Sequence, residues 1–112
     1  MKYVDKPLKK SEIEQIKKEY GDYVKVTADI EKGDLVYGCM LHADGEEILL
    51  KNKSRQDDVW GGGIDLRNKI TDCTAVLNLR PKLENSSLEI LNSDRRNKFI
   101  KIVKKIFKTL WE

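Results

Sequence analysis

Residues 94–111 read DRRNKFIKIVKKIFKTLW, and this stretch decides how the rest of the chain must fold. On a wheel of 3.6 residues per turn, its basic and apolar side chains separate into two halves. The pattern predicts an amphipathic helix from about Asp94 to Leu110, capped by Asn92 or Ser93, whose apolar half is buried against another element. The basic half holds Lys98, Lys101, Lys104, Lys105 and Lys108. The apolar half holds Phe99, Ile100, Ile102, Val103, Ile106, Phe107, Leu110 and Trp111.

The middle of the chain has a period of two. Val24, Val26, Ala28 and Ile30 alternate with polar residues, which predicts a strand over 24–31 with one wet face. The dipeptide Asp44-Gly45 is a strong signal for a tight hairpin turn. Short connections favour an antiparallel meander. Further strands are predicted over 35–43, 46–51, 59–66 and 73–79, the last closed by Pro81.

A short helix is predicted before the strands, over residues 11–20. Ser11 and Glu14 have the spacing of a capping box, and Ile13, Ile16 and Tyr20 share one helix face. The chain therefore predicts a single two-layer α+β domain over residues 1–112. In this fold, an antiparallel meander of about five strands packs against a short N-terminal helix and a long amphipathic C-terminal helix.

The composition excludes several classes of protein. The 112 residues fit one domain, and the 39% apolar share, set in regular patterns, argues against disorder. No apolar run reaches the roughly 18 residues of a membrane helix, and charged residues around Met1 argue against a secretory signal. Two cysteines are too few for a disulfide scaffold or a structural zinc site. We expect a cytoplasmic protein with no cofactor and no membrane contact.

The net charge of +3 conceals a separation of charge. Residues 94–112 carry +5 and residues 29–65 carry −5. The lysine stripe Lys98–Lys108 could lie along phosphates. However, the pI is only 8.8, no aromatic residues interleave the lysines, and the acidic segments would repel the same ligand. Nucleic-acid binding is therefore an alternative that we do not expect. Charge complementarity between copies, together with two sheet edges, predicts a weak preference for a homodimer.

His42 is the only histidine, and it opens a second alternative. On one continuous strand His42, Asp44 and Glu46 would share a face, as an acid–base or metal site requires. This would make the protein a small hydrolase or a metal-dependent enzyme. The turn signal at Asp44-Gly45 argues against such a strand, and the sequence shows no further metal ligands beside these residues.

The remaining candidates have simpler structural interpretations. Ser54, Gln56 and Trp60 could line a polar pocket, although Ser54 lacks the flanking glycines of a nucleophile. The glycines of residues 61–63 could hold an anion, but a bulge or a close backbone approach is the simpler interpretation. Arg80 could bind a carboxylate or phosphate, or pair with a neighbouring acid such as Asp65 or Asp72. The remaining pair, Cys39 and Cys73, are predicted to be inert, buried thiols.

Five short motifs can be read along the sequence: Gly21-Asp22, Asp29-Ile30-Glu31-Lys32-Gly33, Leu41-His42-Ala43-Asp44, Ser54-x-Gln56-x-x-x-Trp60-Gly61 and Asn78-Leu79-Arg80-Pro81. Taken together, they resemble a small prokaryotic family known only as a domain of unknown function. The resemblance covers roughly residues 20–107 and implies that His42, Asp44, Ser54, Gln56, Trp60 and Arg80 belong to one pattern. No catalytic role follows from it. We therefore expect a non-catalytic binding or interaction module with a protein or small-molecule partner.

Overall fold

A computed structural model describes all residues, 1–112, and contains a five-stranded sheet and three helices. The strands are β1 (Lys2–Val4), β2 (Tyr23–Asp29), β3 (Leu35–Tyr37), β4 (Val59–Asp65) and β5 (Ile70–Asp72). The helices are α1 (Lys10–Tyr20), α2 (His42–Lys51) and α3 (Ser93–Ile106). Short 3-10 turns cover Gln56–Asp58, Val76–Asn78, Pro81–Leu83 and Lys108–Trp111.

The strand order is β1-β3-β2-β4-β5, and every neighbouring pair is antiparallel. The pairs β2–β3 and β4–β5 are consecutive in the chain, whereas α2 lies between β3 and β4. The predicted α+β class, with an antiparallel five-stranded sheet, a short N-terminal helix and a C-terminal helix, is confirmed.

One face of the sheet packs against α1 and α3. Val24, Val26 and Ala28 alternate along β2 and join a core cluster of 20 buried residues that includes Ile13 and Phe99. Asn92 caps α3 by accepting a hydrogen bond from the Arg95 N–H at 3.0 Å, as predicted. Each large side chain buried here contributes about 1.5–3 kcal/mol, so α3 supplies a large share of the core's stability.

The other face of the sheet is covered by α2, where the sequence predicted a turn and a strand over 46–51. That prediction was wrong, because Gly45 is used for close packing instead of a turn. A Cβ on Gly45 would lie 2.6 Å from Thr27 Oγ1, so only glycine lets α2 approach β2 this closely. Leu49, one turn later, is fully buried on the same side. The domain therefore has three layers and not two.

Two other predicted strands differ from those observed, and two short observed strands were not predicted. The strand predicted over 35–43 ends at Tyr37, because Gly38 adopts a φ of +83° and turns the chain. The strand predicted over 73–79 is replaced by a single bridge between Thr74 and Glu89 followed by a 3-10 turn. The prediction missed β1 and β5, because the three residues of each strand are too few to show a period of two.

The start of α1 differs in its capping residues. Lys9 occupies the cap position, and its backbone N–H donates to the Glu12 carboxylate at 2.9 Å. The predicted box of Ser11 and Glu14 was therefore wrong, since both residues already lie inside the helix. The predicted apolar face is present, with Ile13 and Ile16 buried.

Candidate functional site

A buried asparagine side chain occupies the edge of β4 where β5 does not reach. β5 pairs only with residues 63–65 of β4. Next to this segment, Asn78 Oδ1 accepts from the Gly61 N–H at 2.8 Å and Asn78 Nδ2 donates to the Gly61 carbonyl at 2.8 Å. The same amide donates to the carbonyls of Cys73 and Leu88. One side chain thus takes the place of a neighbouring strand and fixes the irregular segment 73–91 against the sheet.

A second buried asparagine shapes the loop that follows. Asn85 Nδ2 donates to the Asn78 carbonyl at 2.7 Å and to the Glu89 carbonyl at 2.8 Å. Asn85 Oδ1 accepts from the Leu91 N–H at 2.9 Å. The backbone of Arg80 and that of Asn85 also bond to each other, which closes the loop 80–85. The polar loop predicted over 82–92 is therefore held in place by buried amides.

Trp60 lies at the centre of the neighbouring side chains. Its indole is fully buried, and its Nε1–H donates to the Asp57 carbonyl at 3.0 Å. The guanidinium groups of Arg80 and Arg95 both lie over the ring, each with Cζ 5.0 Å from the ring centroid. Such cation–π contacts hold both arginines in fixed positions although they are 15 residues apart in the sequence.

Arg80 is also bonded on its other side. Its Nη2 donates to Glu46 Oε2 at 2.9 Å and its Nη1 donates to the Gln56 carbonyl at 3.0 Å. Burial lowers the pKa of Arg80, and the adjacent Glu46 carboxylate opposes this shift. Of the two roles predicted for Arg80, pairing with an acid is the one observed. The acid is Glu46, and not Asp65 or Asp72 as suggested.

Two clefts adjoin these arginines and share the wall formed by Lys82 and Leu83. The first, of about 440 Å³, is completed by Glu84, Leu91, Asn92 and Arg95. The second, of about 450 Å³, is completed by Gln56, Asp57, Arg80 and Pro81. Both volumes fall within the range of about 300–1,000 Å³ that is usual for small-molecule sites.

Only some of the basic residues around these clefts have an acidic partner. Arg80 is neutralised by Glu46, whereas Lys82 and Arg95 belong to none of the ion pairs of the structure. Arg95 Nη1 donates to the Leu83 carbonyl at 2.9 Å, which leaves its other N–H groups without a partner in the protein. The cleft between Lys82 and Arg95 therefore offers positive charge and free donors to an anion.

His42 lies away from these clefts, at the start of α2. Its Nε2 donates to the Gly62 carbonyl at 2.7 Å, and burial lowers the pKa of the imidazole. A Cβ on Gly61 would lie 2.9 Å from the ring, which is the close backbone approach predicted for the glycine run. Asp44 is two residues on, about 200° around the helix, so His42 and Asp44 do not share a face. Glu46 is held by Arg80.

No group of three or more His, Cys, Asp and Glu side chains is arranged to hold a metal ion. The remaining candidates have structural positions. Ser54 Oγ is buried without a hydrogen-bond partner, and Gln56 contributes its backbone carbonyl to Arg80. Cys39 is a buried free thiol, as predicted, whereas the free thiol Cys73 is only half-buried. Burial raises the pKa of Cys73 to about 11.

The lysines of α3 are exposed, as predicted, but Trp111 is not where the wheel placed it. The α-helix ends at Ile106, and the tighter 3-10 turn over Lys108–Trp111 rotates the indole out of the apolar half. Trp111 is 39% exposed and lies beside the lysines, with Lys104 Nζ 5.9 Å from the ring centroid. At the other end of the stripe, Lys98 pairs with Glu31 at 2.6 Å.

Sequence reasoning missed four residues that build the site: Lys82 and Arg95 at the clefts, and the side chains of Asn78 and Asn85 beneath them. Only Asn78 gave a signal, because it begins the motif that contains Arg80. Lys82 and Asn85 stand in a polar stretch with no periodicity, and Arg95 lies at the start of the basic helix, where the sequence gives no sign of a separate role. Their roles depend on the loop closure at residues 80–85, which the sequence does not show.

The fold and the clefts define a small three-layer α+β domain with an antiparallel sheet. The family model described as "Protein of unknown function (DUF5674)" matches residues 2–106, and the chain belongs to this family. A comparison with curated proteins found no match, and neither did a comparison with solved structures. None of the three helices combines the length and the apolar character needed to cross a membrane.

Proposed function

We propose that the protein is a non-catalytic binding module whose cleft between Lys82 and Arg95 takes a small ligand bearing a carboxylate or a phosphate. The observation that carries the proposal is the arrangement of Arg95. Its guanidinium is fixed over Trp60 and by the Leu83 carbonyl, yet it has no acidic partner. A cation that is already immobilised loses little entropy when it binds an anion, so its free donors are preorganised for a ligand.

Polar groups around the cleft define the rest of the ligand. Asn92 uses its side-chain oxygen to cap α3, which leaves its Nδ2 hydrogens free to donate. Glu84 stands on the same rim and can accept a hydrogen bond from a hydroxyl or an amine. The chemistry fits a small anion that also carries such a donor. Gln56 and Arg80, two of the residues in the predicted pattern, line the adjoining cleft.

The test is an NMR titration with three probes: inorganic phosphate, succinate and phosphoserine. Saturable shifts at the Arg95 Nε–H and at the amides of residues 82–84 are expected for at least one probe. Arg95→Met and Lys82→Met should abolish them, whereas Arg96→Met, which removes an exposed neighbouring arginine, should not. Shifts at all arginines alike, or no saturation at about 10 mM of any probe, where even a millimolar site would be filled, would refute the proposal.

The proposal extends to the cellular compartment and to the family pattern. A cytoplasmic location is supported by two unpaired thiols, as expected where thiols are kept reduced.

The motif residues are proposed to be common to the family because they connect separate elements. His42 joins α2 to β4, Asn78 joins the segment 73–91 to β4, and Arg80 joins that segment to α2.

A further inference from the structure

The exposed face of α3, together with the 3-10 turn that follows it, combines four lysines with an aromatic ring. Lys101, Lys104, Lys105 and Lys108 follow the spacing i, i+3, i+4, i+7 and are all exposed. None of them takes part in any of the ion pairs of the structure. Four unpaired charges thus form a row about 10 Å long on the outer side of the helix. Such a row attracts a polyanion.

Trp111 gives this row a second recognition element. Together with Lys104 and Lys108 it lines a shallow, mainly apolar cleft of about 210 Å³. The objection from the sequence, that no aromatic residue stands among the lysines, therefore does not hold for the folded chain. Within the acidic segment 29–65, the charge of Glu31 is balanced by its ion pair with Lys98.

We infer that this face, Lys101, Lys104, Lys105, Lys108 and Trp111, binds single-stranded nucleic acid. The lysines contact successive phosphates, and one base stacks on the exposed indole, the combination used by proteins that bind single strands without sequence preference. An anionic membrane is the less suitable occupant, because the apolar half of α3 is buried in the core and cannot insert into lipid. This inference does not depend on the Lys82–Arg95 cleft.

The salt dependence gives the inference a magnitude. Each lysine–phosphate contact on a single strand changes the slope of log affinity against log salt by about −0.7, so four contacts give about −2.8. Raising the salt from about 50 to about 200 mM should then weaken binding about 50-fold. Lys101→Gln with Lys105→Gln should halve the slope to about −1.4. Lys51→Gln with Lys53→Gln removes the same charge from the opposite layer and should leave the slope unchanged.

The tryptophan contribution can be measured separately. Trp60 is fully buried, so a fluorescence change on adding an oligothymidylate of about twelve nucleotides reports on Trp111. Trp111→Phe should keep the affinity but lose the fluorescence change, and Trp111→Ala should weaken binding about tenfold. Circular dichroism and thermal melting verify that each variant is folded.

Four outcomes would overturn the inference. The first is an absence of oligothymidylate binding at low salt, and the second is the same slope of log affinity against log salt in both double variants. The third is an affinity unaffected by Trp111→Ala, and the fourth is binding only to phosphatidylglycerol vesicles. The last outcome would identify a lipid surface as the occupant. The third would show that the face binds anions only by non-specific electrostatic attraction.

Discussion

Removing the amide of Asn78 should strongly destabilise the domain. Asn78→Ala leaves the Gly61 N–H and the Gly61 carbonyl without partners in a fully buried position. Each orphaned buried group costs about 1–3 kcal/mol, so the expected loss is about 2–6 kcal/mol. A domain of this size has a free energy of unfolding of about 5–15 kcal/mol, so the variant should be marginal.

The assay is urea unfolding followed by circular dichroism, with Asn97→Ala as the control. Asn97 is an exposed asparagine of α3 without hydrogen bonds to its side chain, so its loss should change the free energy of unfolding by less than about 0.5 kcal/mol. Asn78→Asp retains an acceptor for Gly61 but turns a carboxylate toward three carbonyls, and it should be at least as unstable as Asn78→Ala. A loss below about 1 kcal/mol for Asn78→Ala would refute the strand-replacing role of this side chain.

Three further predictions concern the core. Gly62→Ala should lower the melting temperature strongly, because its Cβ would collide with a backbone carbonyl of β5. Gly63→Ala should lower it less, because the atoms nearest to its Cβ belong to the side chain of Tyr23, which can shift. Equal melting temperatures would contradict this. Burial lowers the pKa of His42 from 6.5, so its contribution to stability is complete above pH 6.5 and is lost as the pH falls toward the folded pKa. His42→Gln should therefore flatten the urea-unfolding profile in this window, and a profile parallel to wild type would exclude the effect. A chain ending at Ser93 should show no cooperative melt, since α3 completes the core; a sharp calorimetric transition would disprove that.

Elements with a long periodic pattern could be predicted from the sequence. Short elements, and elements whose local turn preference conflicts with their tertiary packing, could not. The helix α3 and the strand β2 each carry a regular pattern over many residues, and both were located correctly. In α2 the local preference of Asp44-Gly45 for a turn concealed the packing of Gly45 on Thr27, which is a tertiary contact. Tertiary packing overrides local propensity at such positions.

The candidate site was predictable only in part, for a related reason. Arg80 could be singled out, and one of its two predicted roles, pairing with an acid, was correct, but its partner Glu46 is 34 residues away. The sequence correctly places Arg95 in a basic helix, but nothing in it indicates that the guanidinium lies over Trp60. Both contacts depend on the closed loop 80–85, whose path is set by buried amides and not by periodicity.

The use of a side chain in place of a strand at Gly61 also bears on self-aggregation. Where β4 extends past its outer neighbour, free N–H and carbonyl groups would otherwise recruit the backbone of another molecule. A glycine stretch is especially exposed to this risk, because it has no side chains to obstruct an incoming chain. The Asn78 amide bonds to those groups within the same molecule, so this part of the sheet edge is protected from pairing with another molecule without a longer β5.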